Sequence, residues 1–182
     1  MIQINLVARI AGDKNSFLDM VYIAYKLKQN NINDFNILFI GDILNISIYQ
    51  NIVRMADLLD VSANISFTKK SIPFSDLAPA IKDGYFINLT VGSFTGYSGI
   101  ESLSMGFKTI FYNADKRHEN EVTEYINVCS DIPSVINLIK LINKDKLSVN
   151  KQMISNNSKM KSHYSLNDKE TSLLLSFMSP KL

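Results

Sequence analysis

The segment YFINLTVGSFTGYSGIESLSMGFKTIFY covers residues 85–112. It contains two short, mostly apolar runs, at residues 85–89 and 109–112, and such runs are typical of strands buried in a parallel sheet. Between them, a loop with two glycines leads into a helix predicted over residues 98–105. Gly106 follows in the position where a glycine commonly ends a helix. The segment therefore predicts a β-α-β unit.

The same alternation continues on both sides of this unit. Further strands are predicted at residues 2–7, 37–40, 64–67 and 125–128. Two helices are predicted over the apolar positions from Phe17 to Leu27 and from Ile48 to Leu59, the second with Ser47 as its N-cap. A short helix is predicted over residues 76–82. A further helix begins after a cap at Ser130 or Asp131 and has Pro133 in its first turn. Residues 149–178 predict a helical tail in two pieces, broken around residues 163–167.

This pattern predicts an α/β fold, with a doubly wound, mostly parallel sheet and a helical C-terminal tail. The length of 182 residues suits one domain over residues 1–182. With a net charge of +2 and scattered basic residues, we expect no nucleic-acid partner. Cys129 is expected to be a small buried apolar side chain in a reducing compartment.

The expected location is the cytoplasm. No signal peptide is recognisable, and no apolar run approaches the roughly 20 residues that cross a bilayer. Any membrane contact is expected to be peripheral, on the inner face of the membrane.

In doubly wound folds, ligands bind beyond the carboxyl ends of the strands, where the strand order reverses. The loops predicted at that edge are residues 9–14, 41–45, 68–75, 91–99 and 113–121.

Two of these loops carry groups suited to an anionic ligand. Arg9 and Lys14 are cations that can meet phosphate oxygens. The turn at residues 95–99 opens a helix whose free N–H groups attract negative charge. Glu101 lies in the first turn, where a carboxylate can accept hydrogen bonds from ribose hydroxyls. Each of these groups taken singly is also typical of an ordinary surface loop, so the prediction depends on their combination.

The order of these residues resembles a known family, the group 1 retaining glycosyltransferases of the GT-B fold, in its C-terminal, nucleotide-sugar-binding domain. That domain opens with Gly-Arg-Leu followed by a lysine, and later has a strand, a Gly-aromatic-Gly turn, a Glu-Ala-Met helix and Gly-x-Pro-Val-Ile. The corresponding stretches here are Val7-Ala8-Arg9-Ile10 with Lys14-Asn15, Phe86-Ile87-Asn88-Leu89, the segment from Gly96 to Ile110, and Tyr164-Ser165-Leu166, which resembles the family's Phe-Ser-Trp step.

The resemblance implies a nucleotide-diphosphate sugar donor as substrate. Arg9 and Lys14 would be the catalytic residues, because they would stabilise the charge that develops on the leaving diphosphate. No cofactor and no metal are expected, since the two cations and the helix start would stabilise the charge of the diphosphate in place of a metal ion.

The resemblance also implies residues that bind the donor. Glu101 would hold the ribose. The Gly96-Tyr97 turn and the backbone N–H groups of Ser98, Gly99 and Ile100 would contact the phosphate or the donor sugar. The loop from Thr68 to Ile72 would frame the base.

Two departures from the family pattern affect this interpretation. The family has two glutamates with seven residues between them, but Ser93 and Thr95 stand where the first would be. The glutamate that contacts the donor sugar is therefore missing or replaced, which leaves donor identity and stereochemistry open. The N-terminal acceptor-binding domain is also absent, so we expect an excised domain, or a split subunit, that is inactive alone.

Three functions remain open. The first is donor binding in a glycosyltransferase that transfers a hexose to a glycan or lipid-linked acceptor, in bacterial surface polysaccharide synthesis. The second is half of a sugar-nucleotide 2-epimerase, and the third is a non-enzymatic Rossmann-like binding or assembly module. His118 has two interpretations, a contact to donor or acceptor and a solvated position in a charged loop, of which the second is favoured.

Overall fold

The computed structural model describes residues 1–12, 17–89, 95–112 and 125–164, together with residues 169 and 172. Its strands are β1 (Ile2–Val7), β2 (Phe35–Ile40), β3 (Ile65–Phe67), β4 (Tyr85–Leu89), β5 (Lys108–Tyr112) and β6 (Val128–Cys129). Its helices are α1 (Phe17–Gln29), α2 (Ile46–Leu58), α3 (Pro79–Lys82), α4 (Tyr97–Ser104), α5 (Ile132–Lys144) and α6 (Lys146–Tyr164).

The six strands form one parallel sheet in the order β3-β2-β1-β4-β5-β6. Ile4 of β1 pairs with Ile37 on one side and with Tyr85 on the other. The strand order therefore reverses between β1 and β4, which is the switch point of a doubly wound fold. The predicted fold class is confirmed.

The sheet buries different side chains on its two faces. Helices α1, α2 and α5 supply the main core with Met20, Ile52 and Ile139, which pack with strand residues such as Ile37 and Ile87. On the other face, residues of α4 and α6 pack against β5 and β6 in a smaller cluster. The aromatic rings of Phe74, Phe86 and Phe107 pack against one another in a further apolar cluster.

Two helix starts differ from the sequence prediction. Helix α2 is capped by Asn45, whose side chain accepts a hydrogen bond from the N–H of Ile48, and not by Ser47. Asn45 has the extended backbone of an N-cap, whereas Ser47 already lies in the first turn. The helix predicted over residues 76–82 begins only at Pro79, after a separate 3-10 turn at Phe74–Asp76.

Other helix ends agree with the prediction. Asp131 caps α5, and its side chain and that of Ser134 form a reciprocal capping box. Gly106 has φ of 74° just after α4, a conformation that a residue with a Cβ rarely adopts.

Helix α6 is attached by buried asparagines. Asn127 donates to the Thr109 carbonyl at 2.8 Å and to Asn157 at 2.6 Å, and it accepts from Asn156 at 3.1 Å. Asn157 in turn donates to the Phe107 carbonyl at 3.0 Å. These bonds satisfy amides that would otherwise be costly to bury, and they fix α6 against β5. Over the described part of the chain, no helix has the length and apolar character needed to span a bilayer.

Candidate ligand-binding cleft

A cleft of about 360 Å³ opens at the switch point between β1 and β4. That volume lies in the range of about 300–1,000 Å³ that is usual for small-molecule sites. The cleft is lined by Val7, Ala8, Arg9, Ile40, Gly41, Ser71, Ile72, Asn88, Leu89, Gly96, Tyr97 and Ser98. The structure therefore brings together parts of four predicted ligand-edge loops, including Arg9 and the start of α4.

The loop after β1 is held by its neighbour. The N–H of Ala8 donates to the Ile40 carbonyl at 3.0 Å, and the N–H of Ile10 donates to the Asp42 carbonyl at 2.9 Å. The pairing of β1 with β2 thus continues past the strand ends on both sides of Arg9. The backbone of Arg9 is fixed while its exposed side chain remains available at the cleft.

Gly41 allows the two strand ends to approach closely. A Cβ at this position would lie 2.2 Å from the Ala8 carbonyl oxygen, a backbone atom that cannot move aside. Thr68, predicted to frame the base, is not among the cleft-lining residues. Its hydroxyl accepts a hydrogen bond from the Gly41 N–H at 3.1 Å and donates one to the Lys70 carbonyl at 2.7 Å. Thr68 therefore stabilises the wall of the cleft through these hydrogen bonds and does not line the cleft itself.

Asp42 organises the loop that carries Ser71 and Ile72. Its carboxylate accepts hydrogen bonds from the hydroxyl and the backbone N–H of Ser71. The hydroxyl bond, then the backbone bond and the charge of Arg9, lower the pKa of Asp42 below its ordinary value. Asp42 is therefore ionised at neutral pH. Ile72, which follows Ser71 in this loop and was also predicted to frame the nucleobase, lines the cleft.

The start of α4 faces the cleft. Gly96 is the N-cap, and its carbonyl accepts from the N–H groups of Gly99 at 2.9 Å and Ile100 at 3.1 Å. These two amides, predicted to contact phosphate, are therefore used within the helix start. The N–H groups of Tyr97 and Ser98 precede the first residue that can bond back within the helix, so they are the amides placed to meet an anion.

Asn88 joins β4 to α4. Its side-chain oxygen accepts from the Thr95 hydroxyl at 3.1 Å and from the Gly96 N–H at 3.3 Å. Its side-chain nitrogen donates to the Ser98 hydroxyl oxygen at 3.2 Å. Gly99 is buried against this arrangement, because a Cβ there would lie 2.2 Å from the Thr95 hydroxyl oxygen and 2.7 Å from the side-chain carbon of Asn88.

The remaining predicted site residues fall into two groups. Glu101 is exposed on α4 and Ile100 is half-buried, and neither lines the cleft. Lys14, Ser93 and His118 lie outside the described residues. Among the residues that are described, no group of three or more His, Cys, Asp or Glu side chains is arranged to hold a metal ion.

Sequence reasoning gave no individual role to Asn88, Asp42 or Ser71, although Asp42 lies in the predicted ligand-edge loop at residues 41–45 and Ser71 in the loop predicted to frame the nucleobase. Asn88 carried a detectable signal, since it is a polar residue in an otherwise apolar strand prediction. Asp42 and Ser71 carried none, because their contact joins loops that are distant in sequence.

The fold is that of a Rossmann-like α/β domain, with the cleft at the switch point of its parallel sheet. No protein-family model matches the chain, and no curated protein sequence matches it. Among solved structures, a glycosyltransferase from Rickettsia africae superposes with a TM-score of 0.73 at 18% identity, covering 97% of this chain and 47% of that one. The C-terminal domain of a group 1 family glycosyltransferase, LpcC, from Francisella tularensis superposes with a TM-score of 0.63 at 14% identity, covering 91% of this chain and 87% of that domain.

A third structure, HepE from Anabaena in complex with UDP, superposes with a TM-score of 0.68 at 13% identity and covers 89% of this chain. The chain thus has the fold of a C-terminal GT-B domain, as the sequence resemblance implied. It spans about half the length of the Rickettsia and Anabaena proteins, 47% and 44% respectively.

Proposed function

We propose that this chain binds the nucleotide-diphosphate sugar donor of a glycosyltransferase. The sugar is transferred to a glycan or lipid-linked acceptor, in the synthesis of a bacterial surface polysaccharide. The observation that carries the proposal is the cleft at the switch point, where Arg9 and the start of α4 line the same space.

This arrangement suits a diphosphate for electrostatic reasons. The guanidinium of Arg9 can form paired hydrogen bonds to phosphate oxygens, and the amides of Tyr97 and Ser98 add the partial positive charge of a helix N-terminus. Lys14, outside the described residues, is the second cation in the proposal. As the bond between sugar and diphosphate breaks, negative charge develops on the diphosphate, and preorganised donors there lower the barrier.

The nucleoside end of the donor is assigned to the other walls of the cleft. Ile72 lies in the wall formed by the loop after β3, and Thr68 fixes the base of that loop. We propose that this loop contacts the nucleobase, and that Glu101 reaches the ribose from α4. The Anabaena protein of the same fold was solved with UDP, and in another structure with UDP and glucose, which supports a nucleoside diphosphate as the ligand.

The acceptor is proposed to bind a second domain. Because this chain spans 47% of the Rickettsia glycosyltransferase, a partner domain of comparable size would complete the active site. The proposed enzyme acts in the cytoplasm, with peripheral contact to the membrane where a lipid-linked acceptor is used.

Nucleotide binding tests the proposal directly. Thermal unfolding of the chain is measured with UDP, GDP and ADP, and separately with uridine, guanosine and adenosine. A ligand at 100 times its Kd stabilises the folded state by about 2.7 kcal/mol. We expect at least one diphosphate to raise the midpoint more than its nucleoside does. If no nucleotide at millimolar concentration changes the midpoint, donor binding is contradicted and a non-enzymatic module is favoured.

Product analysis separates transfer from 2-epimerisation. Once the donor is known, the reaction is run with the completing domain present and its products are analysed by mass spectrometry. Transfer increases the mass of the acceptor by one hexose, whereas 2-epimerisation leaves the mass of the nucleotide sugar unchanged. The proposal requires the first result.

A further inference from the structure

Asn88 is an unusual residue for its position. All five residues of β4 are buried, and the fourth of them, Asn88, has an amide side chain with an exposed fraction of 5%. Burying an amide without hydrogen bonds costs free energy, so a buried asparagine must be held by specific partners. An apolar residue would fill the same space in the sheet without needing them.

The orientation of the Asn88 amide is fixed by its partners. A backbone N–H can only donate, so the side-chain atom facing Gly96 at 3.3 Å must be the oxygen. The nitrogen of the amide therefore faces Ser98, at 3.2 Å from its hydroxyl oxygen. Because a side-chain amide nitrogen can only donate, the Ser98 oxygen is the acceptor in this bond.

This direction has a consequence for Ser98. A hydroxyl that accepts a hydrogen bond from Asn88 keeps its own hydrogen for another partner. Ser98 lines the cleft, so that hydrogen can be donated to a ligand oxygen there. On the inner side, the space between Asn88, Ser98 and the sheet amounts to a cavity of only about 10 Å³, which leaves the cleft as the open direction.

We propose that Asn88 is a positioning residue that makes the Ser98 hydroxyl a hydrogen-bond donor to an oxyanion in the cleft. At the same time it binds the Gly96 N–H, so the amides that face the ligand are those of Tyr97 and Ser98. The inference rests on the proposed function, since the oxyanion is a phosphate oxygen of the nucleoside diphosphate.

The substitution Asn88→Asp tests the direction of the hydrogen bond. Aspartate has nearly the same shape, but its carboxylate can only accept, so Ser98 must donate to it and turns its lone pairs toward the cleft. We expect the affinity for the best-binding diphosphate among UDP, GDP and ADP to fall about tenfold or more, since bonds to charged groups are the strong ones. The affinity for the matching nucleoside should change less than about twofold.

A double-mutant cycle with Ser98→Ala separates this effect from simple charge repulsion. Repulsion between the new carboxylate and the diphosphate persists when Ser98 is replaced, so it would give additive losses. If Asn88 acts through Ser98, the loss caused by Asn88→Asp is clearly smaller in the Ser98→Ala background. Ser98→Thr, which restores a hydroxyl, should bind the diphosphate more tightly than Ser98→Ala does.

Asn36→Asp is the matched control. Asn36 is a half-buried asparagine in β2 that also hydrogen-bonds through its side chain, but it lies at the opposite end of the strands from the cleft. It should not change the ratio of diphosphate to nucleoside affinity. If Asn88→Asp does not fold, as judged by circular dichroism, the comparison of Ser98→Ala with Ser98→Thr still tests whether the Ser98 hydroxyl binds the oxyanion, and equal diphosphate affinities would overturn the proposal.

The outcomes are distinguishable. If the unmodified chain binds no diphosphate, the proposed function fails and this inference fails with it. If the unmodified chain binds but the cycle is additive, or Ser98→Ala binds as tightly as the unmodified chain, the role of Asn88 is overturned and the proposed function stands.

Discussion

Ser71 donates two hydrogen bonds to the carboxylate of Asp42, one from its hydroxyl at 2.5 Å and one from its backbone N–H at 3.1 Å. Asp42 follows β2 and Ser71 follows β3, so the pair joins two loops that border the cleft. Because the pKa of Asp42 is lowered, the contact is present at neutral pH. The shape of the cleft wall that contains Ile72 therefore depends on an ionised carboxylate.

We expect Ser71→Ala to raise the pKa of Asp42 toward its ordinary value of 3.8, because the hydroxyl bond is the largest cause of the lowering. In the unmodified chain the folded-state pKa lies below the unfolded one. The contact therefore stabilises the fold above the unfolded pKa, and this contribution is lost as pH falls through the folded pKa. NMR titration of the carboxyl carbon measures the shift. Ser75→Ala, which removes a hydroxyl bonded to Asp76, is the control, and equal Asp42 pKa values in all three proteins would refute the assignment.

Gly99→Ala should destabilise the start of α4. The added Cβ would lie 2.2 Å from the Thr95 hydroxyl oxygen and 2.7 Å from Asn88, so the turn must shift. Overpacking of this kind costs about 1–3 kcal/mol. Gly96→Ala is the control in the same turn, because its Cβ would lie 3.9 Å from the nearest atom. Denaturant unfolding compares the two, and a loss for Gly99→Ala no larger than that for Gly96→Ala would mean that the turn is not packed as described.

Asn127→Ala should loosen helix α6. It removes one hydrogen-bond partner each from the Thr109 carbonyl and from the side chains of Asn156 and Asn157, of which Asn157 keeps its bond to the Phe107 carbonyl. Each unsatisfied group costs about 1–3 kcal/mol, so a loss at the upper end of that range is expected in urea unfolding. Asn137→Ala, at an exposed position of α5, should change the unfolding free energy much less. Similar losses for the two variants would show that the asparagine cluster does not anchor α6.

Lys14→Ala should weaken binding of a nucleoside diphosphate much more than binding of its nucleoside, because the ammonium is proposed to meet a phosphate. Lys14 lies outside the described residues, so this prediction comes from the sequence. Calorimetric titration of both ligands measures the ratio, with Lys151→Ala on the exposed face of α6 as control. Equal losses for both ligands would argue against a phosphate contact.

The sequence predicts the elements of this fold well where local signals are strong. β1 at Ile2–Val7 and β4 at Tyr85–Leu89 match their predicted bounds, because most of their residues are apolar and a loop follows each strand. Caps are harder, since Asn45 and Ser47 are both good N-cap residues and only the backbone conformation distinguishes them. The strand order, too, follows from packing and not from any one segment.

The sequence predicts the candidate site only in part, because some of its contacts depend on how distant segments pack together. The cleft contains Arg9, Ile72 and the start of α4, as topology alone requires once the strand order is known. Thr68 supports the wall instead of lining it, and the hydrogen bonds of Asn88 depend on how β4 meets α4 in space. Such contacts join segments whose spacing in sequence carries no signal.

The central claim is that Arg9 and the helix start form a diphosphate site. Calorimetric titration of the unmodified chain, Arg9→Ala and the control Arg54→Ala, with the best-binding nucleoside diphosphate and its nucleoside, tests it most directly. Arg54 is an exposed arginine of α2 that does not line the cleft. We expect Arg9→Ala to lose about tenfold or more in diphosphate affinity, with nucleoside affinity nearly unchanged and Arg54→Ala unaffected. Diphosphate binding of equal strength in all three proteins would contradict the claim.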